Sequence, residues 1–233
     1  MARFTPVYAD FILRLEEVAL LRKKAGALER SVMSLSHGHE IRALCRGAVV
    51  LLSSHIEAYI KELGEHTLDA LYNKAVSRSK FAPQFFYYLS RDRIETIRSS
   101  SQPEKIAEHV QLFVSLDASN WGSTGGLPTP ISSENFSRGF SNPSFDKVKA
   151  YFGRFGYSEF RRDYLRVLGG LGNTSIAKLD QIVDTRNSIA HGDPSATKTP
   201  AEVKDMEVTA KLFCRTADKV FSDWCRETLC SIR

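Results

Sequence analysis

Apolar residues recur at helical spacing along most of the chain. Phe11, Leu13, Leu15, Val18, Leu20 and Leu21, then Ala25 and Leu28, return at threes and fours in a charged background, which predicts a first helix with Asp10 as its N-cap. After a polar break over 34–39, a richer stretch from 40 to about 71 carries Ile41, Leu44, Ala48, Leu51, Leu52, Ile56, Tyr59, Ile60 and Leu63. This is the most core-like element of the sequence. Phe85, Phe86, Tyr87 and Tyr88 then form an aromatic cluster ahead of Arg91, Arg93 and Arg98, and an amphipathic piece follows Pro103 over 104–116. Aromatics beside arginines can stack bases and hold phosphates, or they can be a core-anchored helix end with solvated arginines beyond it.

The pattern breaks between 118 and 144. Four Gly, three Pro and seven Ser fall within these 27 residues, with Trp121, Phe136 and Phe140 as the bulky anchors. A loop this long inside a compact domain is usually functional or disordered, so a flexible insertion between two helical halves is expected. Helical spacing resumes over 145–152 and 160–168 and stops at Gly169, Gly170 and Gly172. Thr174 or Ser175 can cap the next helix, whose buried side is Ile176, Leu179, Ile182, Val183 and Ile189 and whose end is marked by Gly192 and Pro194. A last helix runs over 200–229, with Pro200 suited to its first turn. No hairpin signal interrupts this series. The expectation is an all-α bundle, one domain over 1–233, in which the long helices 40–71 and 200–229 pack with the shorter 175–191.

Composition narrows the partners only slightly. The 233 residues are 42% hydrophobic and 25% charged, enough apolar material for one medium domain. Net charge is +5 and the isoelectric point about 9.0, which permits a polyanionic partner without requiring one. The absence of a long apolar run and the order of residues in MARFTPVYAD give the expectation of a soluble, cytoplasmic chain without membrane contact. Cys45, Cys214, Cys225 and Cys230 form no CxxC pair, which fits a reducing compartment. Cys214 and Cys225, eleven apart, are expected on one buried helical stripe.

The most informative stretch is LDQIVDTRNSIAHG over 179–192, an amphipathic helix ending in a cation, an amide and an imidazole. Asp184, Asn187 and His191 are spaced i, i+3, i+7 and share a face, whereas Arg186 lies about 140° around from His191 at 100° per residue. Arg186 must therefore reach the same cleft through its long side chain or a distorted last turn. Otherwise it pairs with Asp184 or Glu207, and His191 merely caps the helix.

These residues resemble the signature of the HEPN superfamily, an Arg followed by a polar residue, three further positions and a His, here RNSIAH. RALCRGAVVLLSSHIEAYIKEL and LDQIVDTRNSIAHGD are similar to the core and motif helices of stand-alone bacterial HEPN proteins of the RiboL-PSP type. The resemblance implies a helical bundle that forms a homodimer, with both motifs facing one cleft, and in many members metal-independent RNA cleavage without a cofactor. On that chemistry His191 is the acid or base, Arg186 clamps the phosphate, and Asn187 orients one of them. A setting in toxicity or antiphage defence, with an antitoxin or defence-system partner, is also implied. HEPN toxins silenced by a partner nucleotidyltransferase carry a Tyr two residues after the motif His, where this chain has Asp193. The alternative is a non-catalytic HEPN-like module that binds RNA or protein through its dimer.

Lesser candidates surround this motif. Glu57 and Asp184 are possible accessory acids. Arg42 and Arg46, one turn apart, can contact RNA phosphate or a dimer partner. Arg154, Arg161, Arg162 and Arg166 form a looser basic run that can guide RNA or simply be solvated. His37, His39 and Glu40 lack the spacing of a zinc site, and no metal is expected.

Overall fold

Thr5 and Pro6 start the bundle. In the computed structural model, which describes residues 4–32 and 34–233, the extended Thr5 accepts a hydrogen bond from the Tyr8 amide and α1 runs Pro6–Glu29. The start at Asp10 is therefore corrected by about a turn: Thr5 already satisfies the first amide, and Asp10 is an exposed residue inside the helix. The first three residues of MARFTPVYAD lie outside the described residues.

A short 3-10 turn, Ser34–His37, leads into α2, Gly38–Asn73, where a polar loop was expected. α2 runs antiparallel to α1: Leu21 lies against Gly47, Glu17 meets His55, and Arg14 pairs with Glu62. By length and composition α2 could cross a membrane, but Ala48, Leu52, Ile56, Tyr59, Ile60 and Leu63 are fully buried within the bundle, the pattern of a core helix.

The following helices are α3, Pro83–Ser99; α4, Pro103–Leu116; α5, Ser133–Ser137; α6, Phe145–Gly153; and α7, Phe160–Leu168. α8, Gly172–Ala190, and α9, Pro200–Thr228, complete the order. No strand occurs among the described residues. α9 opens on a capping box in which Thr199 and Glu202 satisfy each other's backbone amides. α8 starts earlier than the expected cap at Thr174 or Ser175, because it continues directly from a 3-10 turn over Gly169–Leu171 and the Ser175 hydroxyl is buried against Tyr164 at 2.7 Å. α2, α8 and α9 pack together as the apolar stripes predict, and α1 covers both α2 and α9. Cys214 and Cys225 are both fully buried on α9.

The aromatic cluster lies in the first turns of α3, with Arg91, Arg93 and Arg98 further along the same helix, and only Phe85 among its four rings is buried. Segment 118–144, expected as a flexible insertion, sends Leu127, Phe136 and Phe140 into the core and carries α5. Phe136 packs between Phe85, Phe155 and Tyr151. Tyr151 in turn seats on Gly64 of α2, where an added Cβ would fall 2.0 Å from its hydroxyl.

Candidate functional site

The C-terminal end of α8 is built to stop sharply. Gly192 takes the left-handed conformation at φ +80°, its amide bonds to the Ile189 carbonyl at 3.1 Å, and the Asp193 amide reaches the Ser188 carbonyl at 3.0 Å. This is a Schellman stop, with His191 as the last residue before the glycine. The His191 amide bonds the Asn187 carbonyl at 2.9 Å, while its side chain is exposed. Among the described residues no hydrogen bond ties the imidazole to Arg186 or Asp184.

Arg46 secures the loop beyond this stop. Its Nη1 donates to the Asp193 carbonyl at 2.7 Å and the Ala196 carbonyl at 3.3 Å, and Nη2 to the Ile189 carbonyl at 3.4 Å. A cation is favoured where helix carbonyls lack partners, so α2 clamps the end of α8 through this side chain. Arg46 thus directs its Nη donors to backbone carbonyls within the chain. Arg42, a turn earlier, remains exposed.

Arg186 does not pair with Asp184 or Glu207. Glu207 is taken by Arg22 at 2.7 Å, and Asp184 is exposed. Instead Arg186 Nη1 donates to Asn142 Oδ1 at 2.9 Å and to Asn187 Oδ1 at 3.2 Å. Asn142 is held in turn by Glu57, whose Oε2 accepts from the Asn142 amide at 3.1 Å and whose Oε1 accepts from Lys61 Nζ at 2.7 Å. Both Glu57 oxygens thus accept hydrogen bonds, and Glu57 supports Asn142 in this arrangement. α8 also anchors the neighbouring element through Asp180, which accepts from the Phe145 amide at 2.9 Å at the start of α6.

Asn142 is the residue that spacing along the chain does not find. It sits in the polar segment 118–144 at φ +54°, a conformation that Asn tolerates better than most residues. The available signal is SNPS over 141–144, a turn-forming run, but nothing local says that it faces residue 186.

The wider basic run separates. Arg154 is buried, with Nη1 donating to the Phe136 and Arg138 carbonyls and its guanidinium 4.7 Å from the Tyr88 ring centre. Burial pushes its basicity down. Arg162 and Arg166 are solvated partners of Asp163, and Arg161 lies over the Phe145 ring. His37 Nδ1 lies 3.5 Å from Glu40 Oε2, and among the described residues no three His, Cys, Asp or Glu side chains converge as a metal-binding group.

This arrangement presents one half-buried guanidinium and one exposed imidazole at the same helix end, the former with Nε and Nη2 free of protein hydrogen bonds among the described residues. It can bind an oxyanion and exchange a proton nearby. A family model described as RiboL-PSP-HEPN matches residues 9–223, spanning both the motif and the 118–144 segment. No curated protein and no solved structure matches the chain.

Proposed function

Because the chain belongs to the RiboL-PSP-HEPN family, we propose that it is a metal-independent endoribonuclease acting as a homodimer. The RNA 2′-oxygen attacks its adjacent phosphorus, the bond to the 5′-oxygen breaks, and a 2′,3′-cyclic phosphate remains. One imidazole removes the 2′-proton, and another protonates the departing 5′-oxygen. Arg186 stabilises the charge on the phosphate oxygens through its free donors. One chain carries one motif His, so a two-fold dimer that brings both His191 side chains to one axis supplies the acid and the base. Asn187 and Asn142 hold the guanidinium from one edge, leaving the other for phosphate.

The observation that carries this reading is His191 exposed at the stop of the same helix whose last turns hold Arg186 by amide oxygens, with no ion pair to Arg186 among the described residues. A cytoplasmic role in toxicity or antiphage defence, under a partner that restrains it, follows from the same reading. Purified protein is expected to cleave single-stranded RNA in EDTA and to leave 2′,3′-cyclic phosphate or its hydrolysed 3′-phosphate. Cleavage that depends on added Mg²⁺ or Mn²⁺, or products ending in a 3′-hydroxyl, would contradict the mechanism. Dimerisation without turnover would favour the binding-module alternative.

A further inference from the structure

Between α5 and α6 the chain forms a strap over residues 138–142, fastened from beneath. Arg154 holds the carbonyls of Phe136 and Arg138, Phe140 is buried, and Glu57 holds the amide of Asn142. Arg138, Gly139 and Ser141 face solvent.

Three cations lie along this strap, one against each of three residues. Arg91 of α3 lies by Gly139, its Nη1 3.7 Å from where a Cβ would stand. Lys147 Nζ donates to the Ser141 carbonyl at 3.1 Å, and Arg186 Nη1 donates to the Asn142 side chain at 2.9 Å. Other cations nearby are neutralised: Arg138 by Asp92, and Lys61 by Glu57 at 2.7 Å. Among the described residues the one carboxylate paired with Arg91 is Asp92, a distant oxygen at 3.9 Å that belongs to a group already engaged by Arg138. Among the described residues Lys147 and Arg186 donate to neutral oxygens alone. A row of cations whose charge the protein leaves uncompensated is suited to a chain of regularly spaced anions.

At its far end the strap meets a cavity of about 280 Å³ between α3, α4 and α5, lined by Tyr88, Arg91, Thr96, His109, Leu112 and Asn135 among others. It combines an aromatic ring, an aliphatic wall and several hydrogen-bonding side chains, and its volume suits one nucleotide and not a duplex.

We infer that the strap is a track for single-stranded RNA, in which the phosphates next to the scissile one contact Lys147 and Arg91 and one unstacked base enters the cavity. The inference rests on the ribonuclease reading for the identity of its ligand, and it assigns that site a footprint of several nucleotides on one side of the cut.

The test uses full-length protein with His191→Ala, so that bound RNA stays whole, and follows the anisotropy of a fluorescent 12-nucleotide RNA across salt concentrations. Arg91→Ala with Lys147→Ala is expected to weaken binding at least about tenfold at low salt and to reduce the logarithmic salt slope by about 1.4, the release expected for two single-strand phosphate contacts. Leu112→Trp, which fills the cavity from an exposed position, should weaken binding several-fold and leave the slope unchanged. Lys211→Ala, at an exposed position of α9 outside the strap, should alter neither. Unchanged affinity in the folded double variant, no RNA binding at all, or displacement of RNA by poly-glutamate as readily as by unlabelled RNA would overturn the track. RNA binding that depends on Arg91 and Lys147, in a chain whose unsubstituted form cleaves nothing, would remove the ribonuclease reading and keep the track.

Discussion

Two polar networks leave α2 from residues only two positions apart, and they end differently. At Tyr59 the network closes in the core: Asp218 accepts from the Thr5 amide at 3.2 Å, from the Thr5 hydroxyl and from Tyr59 at 3.3 Å, and all three residues are buried. At Glu57, on the opposite face by the 100° rule, the network runs through Asn142 to Arg186 and opens to solvent. Both join segments distant along the chain. The closed one ties the N-terminus to α9 and has no donor left for a ligand, whereas the open one ends in donors that the protein itself does not use. Architecture and site are thus built from similar parts and separated by where the last hydrogen bond goes.

Breaking each network should therefore give opposite phenotypes. The largest effect on stability is expected for Asp218→Ala, which leaves buried Thr5 groups unpaired. A loss of roughly 3 kcal/mol should appear as a thermal midpoint lower by about 6–12 °C for a domain of this size. RNA cleavage per folded molecule should be unchanged. A variant with normal stability and lost cleavage would abolish the contrast.

Asn142→Gly sharpens the other side. Glycine keeps the left-handed backbone and the amide donated to Glu57, but removes the acceptor that steadies Arg186. Cleavage is expected to fall about tenfold through a misplaced guanidinium, with a thermal midpoint within about 2 °C of the unsubstituted chain. Equal loss of stability and activity would make Asn142 a fold residue only.

The smallest effect concerns pH. Burial pushes the Asp218 carboxyl above its ordinary value, despite hydrogen bonds from Thr5 and Tyr59 that favour its charge. A carboxyl raised in the folded state contributes its full stability below the unfolded value and loses it as pH rises through the folded value. Asp218→Asn stays neutral throughout. The midpoint difference between variant and unsubstituted protein should therefore move in the variant's favour as pH rises above the ordinary carboxylate value, as calorimetry would show. A constant difference would mean that Asp218 does not titrate there.

Legibility in the sequence followed the same division. α2, α8 and α9 could be placed because their apolar positions repeat at the helical period, and the motif on α8 could be read because Arg186, Asn187, His191 and Gly192 lie within seven residues. Thr5 is not legible as a cap because the apolar pattern suggests a helix start several residues later. Arg46 and Glu57 are ordinary polar positions on a long helix until the backbone carbonyls of 189–196 and the amide of Asn142 are brought to them. Phe136 and Phe140 anchor an irregular segment, where burial follows no period that a sequence displays.

Whether the end of α8 and its open network serve catalysis is decided by single-turnover RNA cleavage in EDTA with Arg186→Ala and with His191→Ala, each measured beside its thermal midpoint. At least about a thousandfold loss of rate is expected for His191→Ala, the scale of a lost proton-transfer group, with the midpoint unchanged because the imidazole is exposed. Cleavage at the unsubstituted rate by either folded variant would contradict that role.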